Sequence, residues 1–221
     1  MKRKLKQNLI TFYNSKSPVS EQIKAVRTSL NFATIDQDAQ VILITSPTPS
    51  SGKSVVSSNL TVSYAQQDKK VLIIDGDLRK ATQHYQFKAD PYRGLSSLLI
   101  GKLSIADAIQ ETFVPNLSVL TSGPMPPNPA ELLSTNKLDT LMDEFKKSFD
   151  IIIIDTPPVI NLTDAVVISR VADGIILVVR ANHTQKNEVS RSVEILKTTN
   201  KKLFGTILND AKHEVSDYYY Y

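Results

Sequence analysis

The stretch Val41-Ile42-Leu43-Ile44-Thr45-Ser46-Pro47-Thr48-Pro49-Ser50-Ser51-Gly52-Lys53-Ser54 begins with consecutive apolar and β-branched residues and runs directly into a proline- and serine-rich loop ending in Gly-Lys-Ser. Apolar residues at successive rather than alternate positions predict a strand covered on both faces. Working outward, comparable runs recur at Val71–Asp75, Leu117–Leu120, Asp150–Asp155, Ile175–Val179 and Leu203–Leu208, separated by stretches long enough for helices. This alternation predicts an α/β fold with a mostly parallel sheet and helices on both faces.

Upstream, Ser17-Pro18 offers an N-cap followed by proline at the first helical position, and Ile23, Val26 and Leu30 recur at helical spacing. An amphipathic helix over 17–35 follows from this. Downstream, Gly123–Pro129 carries four of the eleven prolines and reads as a rigid connector before a helix over Ala130–Lys147. With 221 residues and 41% hydrophobic content, the chain can bury one substantial core, expected over 17–210. A flexible basic arm is expected at 1–16 and a tyrosine-rich tail at 211–221. The apolar runs, Ile151–Ile154 and Ile175–Val179 among them, are far too short to span a bilayer, and the segment after the basic start is too polar for an export signal, so a cytoplasmic protein is expected. A net charge of +4 argues against a nucleic-acid partner, and the lack of cysteine excludes thiolate metal sites.

In an open parallel sheet, ligands bind beyond the carboxyl ends of the strands. The first strand leads there into Pro47–Ser54, placed between strand and helix as a phosphate-binding loop must be. Backbone amides over Ser50, Ser51, Gly52, Lys53, Ser54 and Val55, with the positive end of the following helix, suit a polyphosphate. Lys53 would neutralise its outer phosphates and the Ser54 hydroxyl would enter a magnesium shell. The next strand ends in Asp75-Gly76-Asp77 and the isoleucine strand in Asp155. Unpaired carboxylates at buried strand ends are costly, so three of them imply a shared cation, with Mg2+ the natural candidate and ATP its companion. These features make the fold P-loop NTPase-like. His84, His183 and His213 match no metal spacing and are assigned no role.

Taken together, Val41–Ser54, Val71–Asp75 with Gly76-Asp77-Leu78-Arg79-Lys80, and Ile151–Pro158 resemble the Walker A, A′ and B motifs of the bacterial tyrosine kinases of capsule and exopolysaccharide synthesis. Glu21-Gln22-Ile23-Lys24-Ala25-Val26-Arg27 is similar to that family's Glu-x-x-Arg-x-x-Arg oligomerisation helix, and Gly94-Leu95-Ser96, Gly123–Pro129 with Glu131-Leu132, and the terminal tyrosines fall in family order. The resemblance covers nearly the whole chain. It implies Lys53, Asp75, Asp77 and Asp155 as the catalytic set, metal at Ser54, Asp77 and Asp155, and oligomerisation through Glu21, Lys24 and Arg27. It also implies a ring-shaped homo-oligomer, switched on by the cytoplasmic tail of a membrane-bound activator and opposed by a cognate tyrosine phosphatase. The kinase would then sit peripherally at the inner face of the cell membrane. Autophosphorylation between subunits would fall on Tyr218, Tyr219, Tyr220 and Tyr221, about a dozen residues past the last strand, a reach of roughly 30–40 Å.

Three departures from the family pattern carry physical consequences. Pro49-Ser50-Ser51-Gly52-Lys53 stands where the family has Pro-Gly-x-Gly-Lys; a positive φ at Ser50 would cost on the order of 1–3 kcal/mol. Lys24 replaces an arginine and cannot offer its bidentate fork. Ala81 stands where proline is usual. Competing expectations are a catalytically weak ATP-binding scaffold and a partition-type ATPase. The latter uses a signature lysine five residues before the motif lysine, where this chain has Thr48. A GTP switch is disfavoured because Asn209-Asp210-Ala211-Lys212 lacks the guanine-reading order.

Overall fold

A computed structural model describes residues 8–34 and 39–211. Its seven-stranded sheet comprises β1 (Val41–Thr45), β2 (Val71–Asp75), β3 (Gln110–Glu111), β4 (Leu117–Leu120), β5 (Ile151–Asp155), β6 (Gly174–Arg180) and β7 (Lys202–Asn209), in the order β3-β4-β2-β5-β1-β6-β7. All pairs are parallel except β3 with β4. The six expected runs are thus all strands. The short β3 was not expected, because a two-residue edge strand has no periodicity to read.

Consecutive apolar residues divide between two cores by the pleat. Val41, Leu43, Leu72, Ile74, Ile152 and Ile154 point to one face, where the helix Lys137–Ser148 contributes Leu141, Met142 and Phe145. Ile42, Ile44, Ile73 and Ile153 point to the other, covered by α3 (Lys53–Ala65) through Val56 and Leu60. The inner strands therefore lose almost all contact with water, and each face is worth roughly 25 cal/mol per Å² of apolar surface covered. The chain leaves the neighbours β1 and β5 in opposite directions, β1 crossing β5 to reach β2 and β5 crossing β1 to reach β6. This is the switch point where a crevice opens.

Three expected boundaries differ. Residues 8–16 do not form a free arm: Leu9 is buried, α1 (Ile10–Tyr13) packs on α3, and the Thr11 amide donates to Asn59 Oδ1 at 2.9 Å. Burying Leu9 offsets the entropy of ordering this short segment. Residues 1–7 lie outside the described residues. The expected helix Ala130–Lys147 is two helices, Pro129–Leu133 and Lys137–Ser148. At the break Ser134 Oγ and Thr135 Oγ1 donate back to the carbonyls of Glu131 and Leu132, competing with helix continuation, and Arg170 donates to the carbonyls of Leu133 and Thr135. Asp150 is not in β5; it accepts the Lys70 amide through Oδ2 at 2.7 Å.

The helix α2 (Pro18–Ala33) starts as its sequence predicts, with Ser17 Oγ accepting the Ser20 amide at 3.1 Å.

Candidate functional site

β1 delivers the loop Ser46–Gly52 to the switch point, and α3 leaves it. Ser50 has φ 63° and Gly52 φ 85°, so two left-handed residues fold the loop back over the helix start. A Cβ at Gly52 would lie 2.1 Å from Asn209 Nδ2, which donates to the Ser51 carbonyl at 3.0 Å. Arg180, at the end of β6, reaches the Ser50 carbonyl at 3.4 Å and ion-pairs with Asp210. The loop is therefore tied to the ends of β6 and β7. The first amides of α3 have no intrahelical acceptor and face a cleft of about 400 Å³ beside Ser50, Gly52, Lys53, Ser54 and Val55. Ser51 is turned away: it is buried and its hydroxyl donates to the Thr48 carbonyl.

The acidic residues converge as a consequence of register. Asp75 and Asp155 are directly paired neighbours on β2 and β5, and the Gly76 amide donates to the Asp155 carbonyl at 2.8 Å. Lys53 Nζ lies 3.3 Å from Asp155 Oδ1, 3.5 Å from Asp77 Oδ2 and 3.1 Å from Ser54 Oγ. Burial alone would lower the lysine pKa, but the fields of Asp155, Asp77 and Asp75 outweigh it, so the ammonium is held more firmly than in water.

Each aspartate has a distinct set of partners. Asp155 also faces Ser57 Oγ at 3.3 Å, and its Oδ2 accepts from Gln83 Nε2 at 2.8 Å. Asp77 Oδ1 accepts the amides of Arg79 and Lys80, fixing the turn after β2. Asp75 makes no ion pair among the described residues. Its Oδ2 accepts the amides of Thr82 and Gln83 at 2.8 and 2.9 Å, which starts α4 (Gln83–Phe87), and its Oδ1 accepts the Asp77 amide. Burial first, and the charge of Asp155 second, push the Asp75 carboxyl up to about 7. Asp75 thus braces the loop behind the cleft, while Asp77 and Asp155 face the lysine.

A cation fits this point. Two carboxylate oxygens and a hydroxyl already surround one positive charge, and hard oxygen donors are what Mg2+ takes. No group of three or more histidines or carboxylates among the described residues could hold a metal alone. Few protein oxygens and a share of phosphate ligands are what such an ion needs beside a nucleotide. The residues that would hold it are Ser54, Asp77 and Asp155.

Several functional contacts had no signal in the sequence. Gln83, Ser57, Arg180 and Asn209 all touch the loop or its carboxylates, yet amides, hydroxyls and lone arginines carry no motif. Arg79 lines the cleft but is paired there with buried Asp164 at 2.9 Å. On α2, Lys24 pairs with exposed Glu21 at 2.8 Å, whereas Arg27 turns inward and donates to Ser63 O and Oγ at 2.6 and 3.0 Å. Burial lowers the Arg27 pKa. Of the three expected oligomerisation residues, Glu21 and Lys24 face outward. Tyr218, Tyr219, Tyr220 and Tyr221 lie outside the described residues.

Comparisons with known proteins agree with this geometry. A family model described as an AAA domain matches residues 39–209. The tyrosine-protein kinase YwqD of Bacillus subtilis is 42% identical over 219 residues, spanning 99% of this chain and 92% of its own. Among solved structures, the chimerical protein CapA2B2 superposes with a TM-score of 0.91 at 42% identity, covering 94% of this chain and 91% of that one. The kinase domain of the Escherichia coli tyrosine kinase ETK superposes with a TM-score of 0.90 at 36% identity, covering 96% and 84%.

Proposed function

The chain belongs to the bacterial tyrosine-protein kinases, and on that premise we propose that it is an ATP-dependent autokinase that phosphorylates its own C-terminal tyrosines, Tyr218–Tyr221, between subunits. The observation that carries this reading is the Lys53 ammonium gripped by Asp155 and Asp77 beside Ser54, at the mouth of a cleft. In the reaction the tyrosine oxygen forms a bond to the γ-phosphorus as the bond to the bridging oxygen of the departing ADP breaks, and the phenolic proton passes to the solvent. Phosphoryl transfer of this kind is largely dissociative, so orientation and charge neutralisation count for more than a strong base. Loop amides and Lys53 bind the phosphates. Ser54, Asp77 and Asp155 would hold the metal, which when bound would neutralise charge on the outer phosphates.

The reading extends to regulation by resemblance to the family. The proposed partners are the cytoplasmic tail of a membrane-bound activator, further copies of the chain in a ring contacted through Glu21 and Lys24, and a tyrosine phosphatase that resets the tail. The process served is capsule or exopolysaccharide synthesis, with the kinase recruited to the membrane by its activator. No helix among the described residues is long and apolar enough to cross a membrane.

The test is incubation of the purified chain with ATP, Mg2+ and the activator's cytoplasmic tail, followed by phosphotyrosine detection and mapping. Signal confined to Tyr218–Tyr221 and abolished by Lys53→Met is expected. No signal with the activator tail present, at Mg2+-dependent nucleotide binding, would instead establish a non-catalytic scaffold.

A further inference from the structure

Gln83 is fully buried although its amide offers several hydrogen-bonding sites. It opens α4, and its backbone amide donates to Asp75 Oδ2 at 2.9 Å. Its side chain then crosses to α3 and β5. Nε2 donates to Asp155 Oδ2 at 2.8 Å and approaches the Ser54 carbonyl at 3.4 Å, while Oε1 lies 2.8 Å from Ser58 Oγ, whose one proton is shared between it and the Ser54 carbonyl at 2.7 Å. One residue thereby touches both acidic strand ends and the first turns of the helix that begins at Lys53.

We propose that Gln83 is a positioning residue for phosphoryl transfer, its buried side-chain amide holding Asp155 in the orientation that presents Oδ1 to the Lys53 and Ser54 side of the cleft. The inference rests on the kinase reading above. A carboxylate at a strand end is free to swing about its terminal torsion, which is broad. Anchoring Oδ2 removes that freedom and leaves Oδ1 facing Lys53 Nζ and Ser57 Oγ, each at 3.3 Å. The sense of the amide follows from charge: turned over, its oxygen would meet Asp155 Oδ2, two acceptors within hydrogen-bond distance. Ser58 secures the other end of the amide. An apolar side chain of the same length would fill the space between α3 and α4 but would leave the carboxylate unanchored.

The test uses Gln83→Met in the full chain, with a fluorescent ADP as the probe, titrated with and without Mg2+. Mg2+-free affinity within about twofold of wild type is expected, together with an approximately tenfold loss of the Mg2+-dependent gain in affinity. In the phosphotyrosine assay kcat should fall by a similar factor while KM for ATP changes little. An unchanged Mg2+-dependent gain and an unchanged kcat would overturn the proposal. Should Gln83→Met fail to fold, Ser58→Ala decides, because it frees the amide oxygen without touching Asp155: a smaller loss of the same sign supports the assignment and no loss refutes it. A wild-type chain that binds nucleotide with Mg2+ but forms no phosphotyrosine would strike the kinase reading, and the Mg2+ titration would still judge Gln83.

Discussion

Lys53→Met should destabilise the nucleotide-free protein as well as disable it. The lysine side chain is 11% exposed, its partner Asp155 is 0% exposed and Asp77 7%. Removing one partner of a buried ion pair leaves an uncompensated charge, at a typical cost of about 3–5 kcal/mol. Here Gln83 and Ser57 still solvate Asp155, and backbone amides still solvate Asp77, so the lower end, about 3 kcal/mol, is the expected loss. The loss should also grow with pH. The Asp75 carboxyl, raised to about 7 by burial and then by Asp155, retains a proton in the folded chain that the unfolded chain releases near its ordinary value. The unfolded state therefore binds fewer protons across that window, and the contribution of this group to stability falls as pH rises through it. Without the lysine, the proton that Asp75 keeps up to about pH 7 spares Asp155 a second adjacent charge, and above that pH it no longer does so. Urea unfolding followed by circular dichroism at about pH 6 and about pH 8 measures both effects. Millimolar Mg2+ should restore part of the variant's stability, because a divalent cation can answer the same carboxylates. A variant within about 1 kcal/mol of wild type at the higher pH would refute the argument that these carboxylates depend on the ammonium.

Other substitutions probe the loop and the sheet. Gly52→Ala combines a left-handed φ of 85° with a Cβ 2.1 Å from Asn209 Nδ2, and should cost about 2–4 kcal/mol while abolishing fluorescent-ADP binding. Adding Asn209→Ala should recover only the steric part in a thermal melt. Ser50→Gly relieves a serine held at φ 63°, and a gain of about 1 kcal/mol is expected by urea unfolding. Gly174→Ala would push a methyl group to 2.2 Å from the Phe204 ring, so a loss of about 2–3 kcal/mol should appear in the melt and be largely suppressed by Phe204→Leu.

Much of the architecture was legible because burial on both faces leaves a local trace. Consecutive isoleucines and valines mark β1, β2, β5 and β6 wherever they fold, and Ser17-Pro18 caps α2 by contacts within one helical turn. Strain at Ser50 was a condition raised by the family resemblance, which has glycine at that position, and φ 63° meets the condition. That Lys53, Ser54, Asp77 and Asp155 lie near one another could be expected in advance, because each stands at or just past the end of a strand or opens the helix after it.

Other features depend on partners far apart in the chain. The break at Ser134–Asn136 is secured by Arg170, the order of residues 8–16 by Asn59, and the inward turn of Arg27 by Ser63. None of these distances along the chain leaves a periodic signal. The division of labour among the aspartates is of this kind as well: sequence alone places three carboxylates at one sheet edge, because strand ends in a parallel sheet share an edge. Which of them faces the lysine and which braces the loop was settled only by strand register, since pairing Asp75 with Asp155 puts two carboxyl groups side by side in a dry interior. One of them must then be satisfied by backbone amides and the other by an ammonium and a buried glutamine.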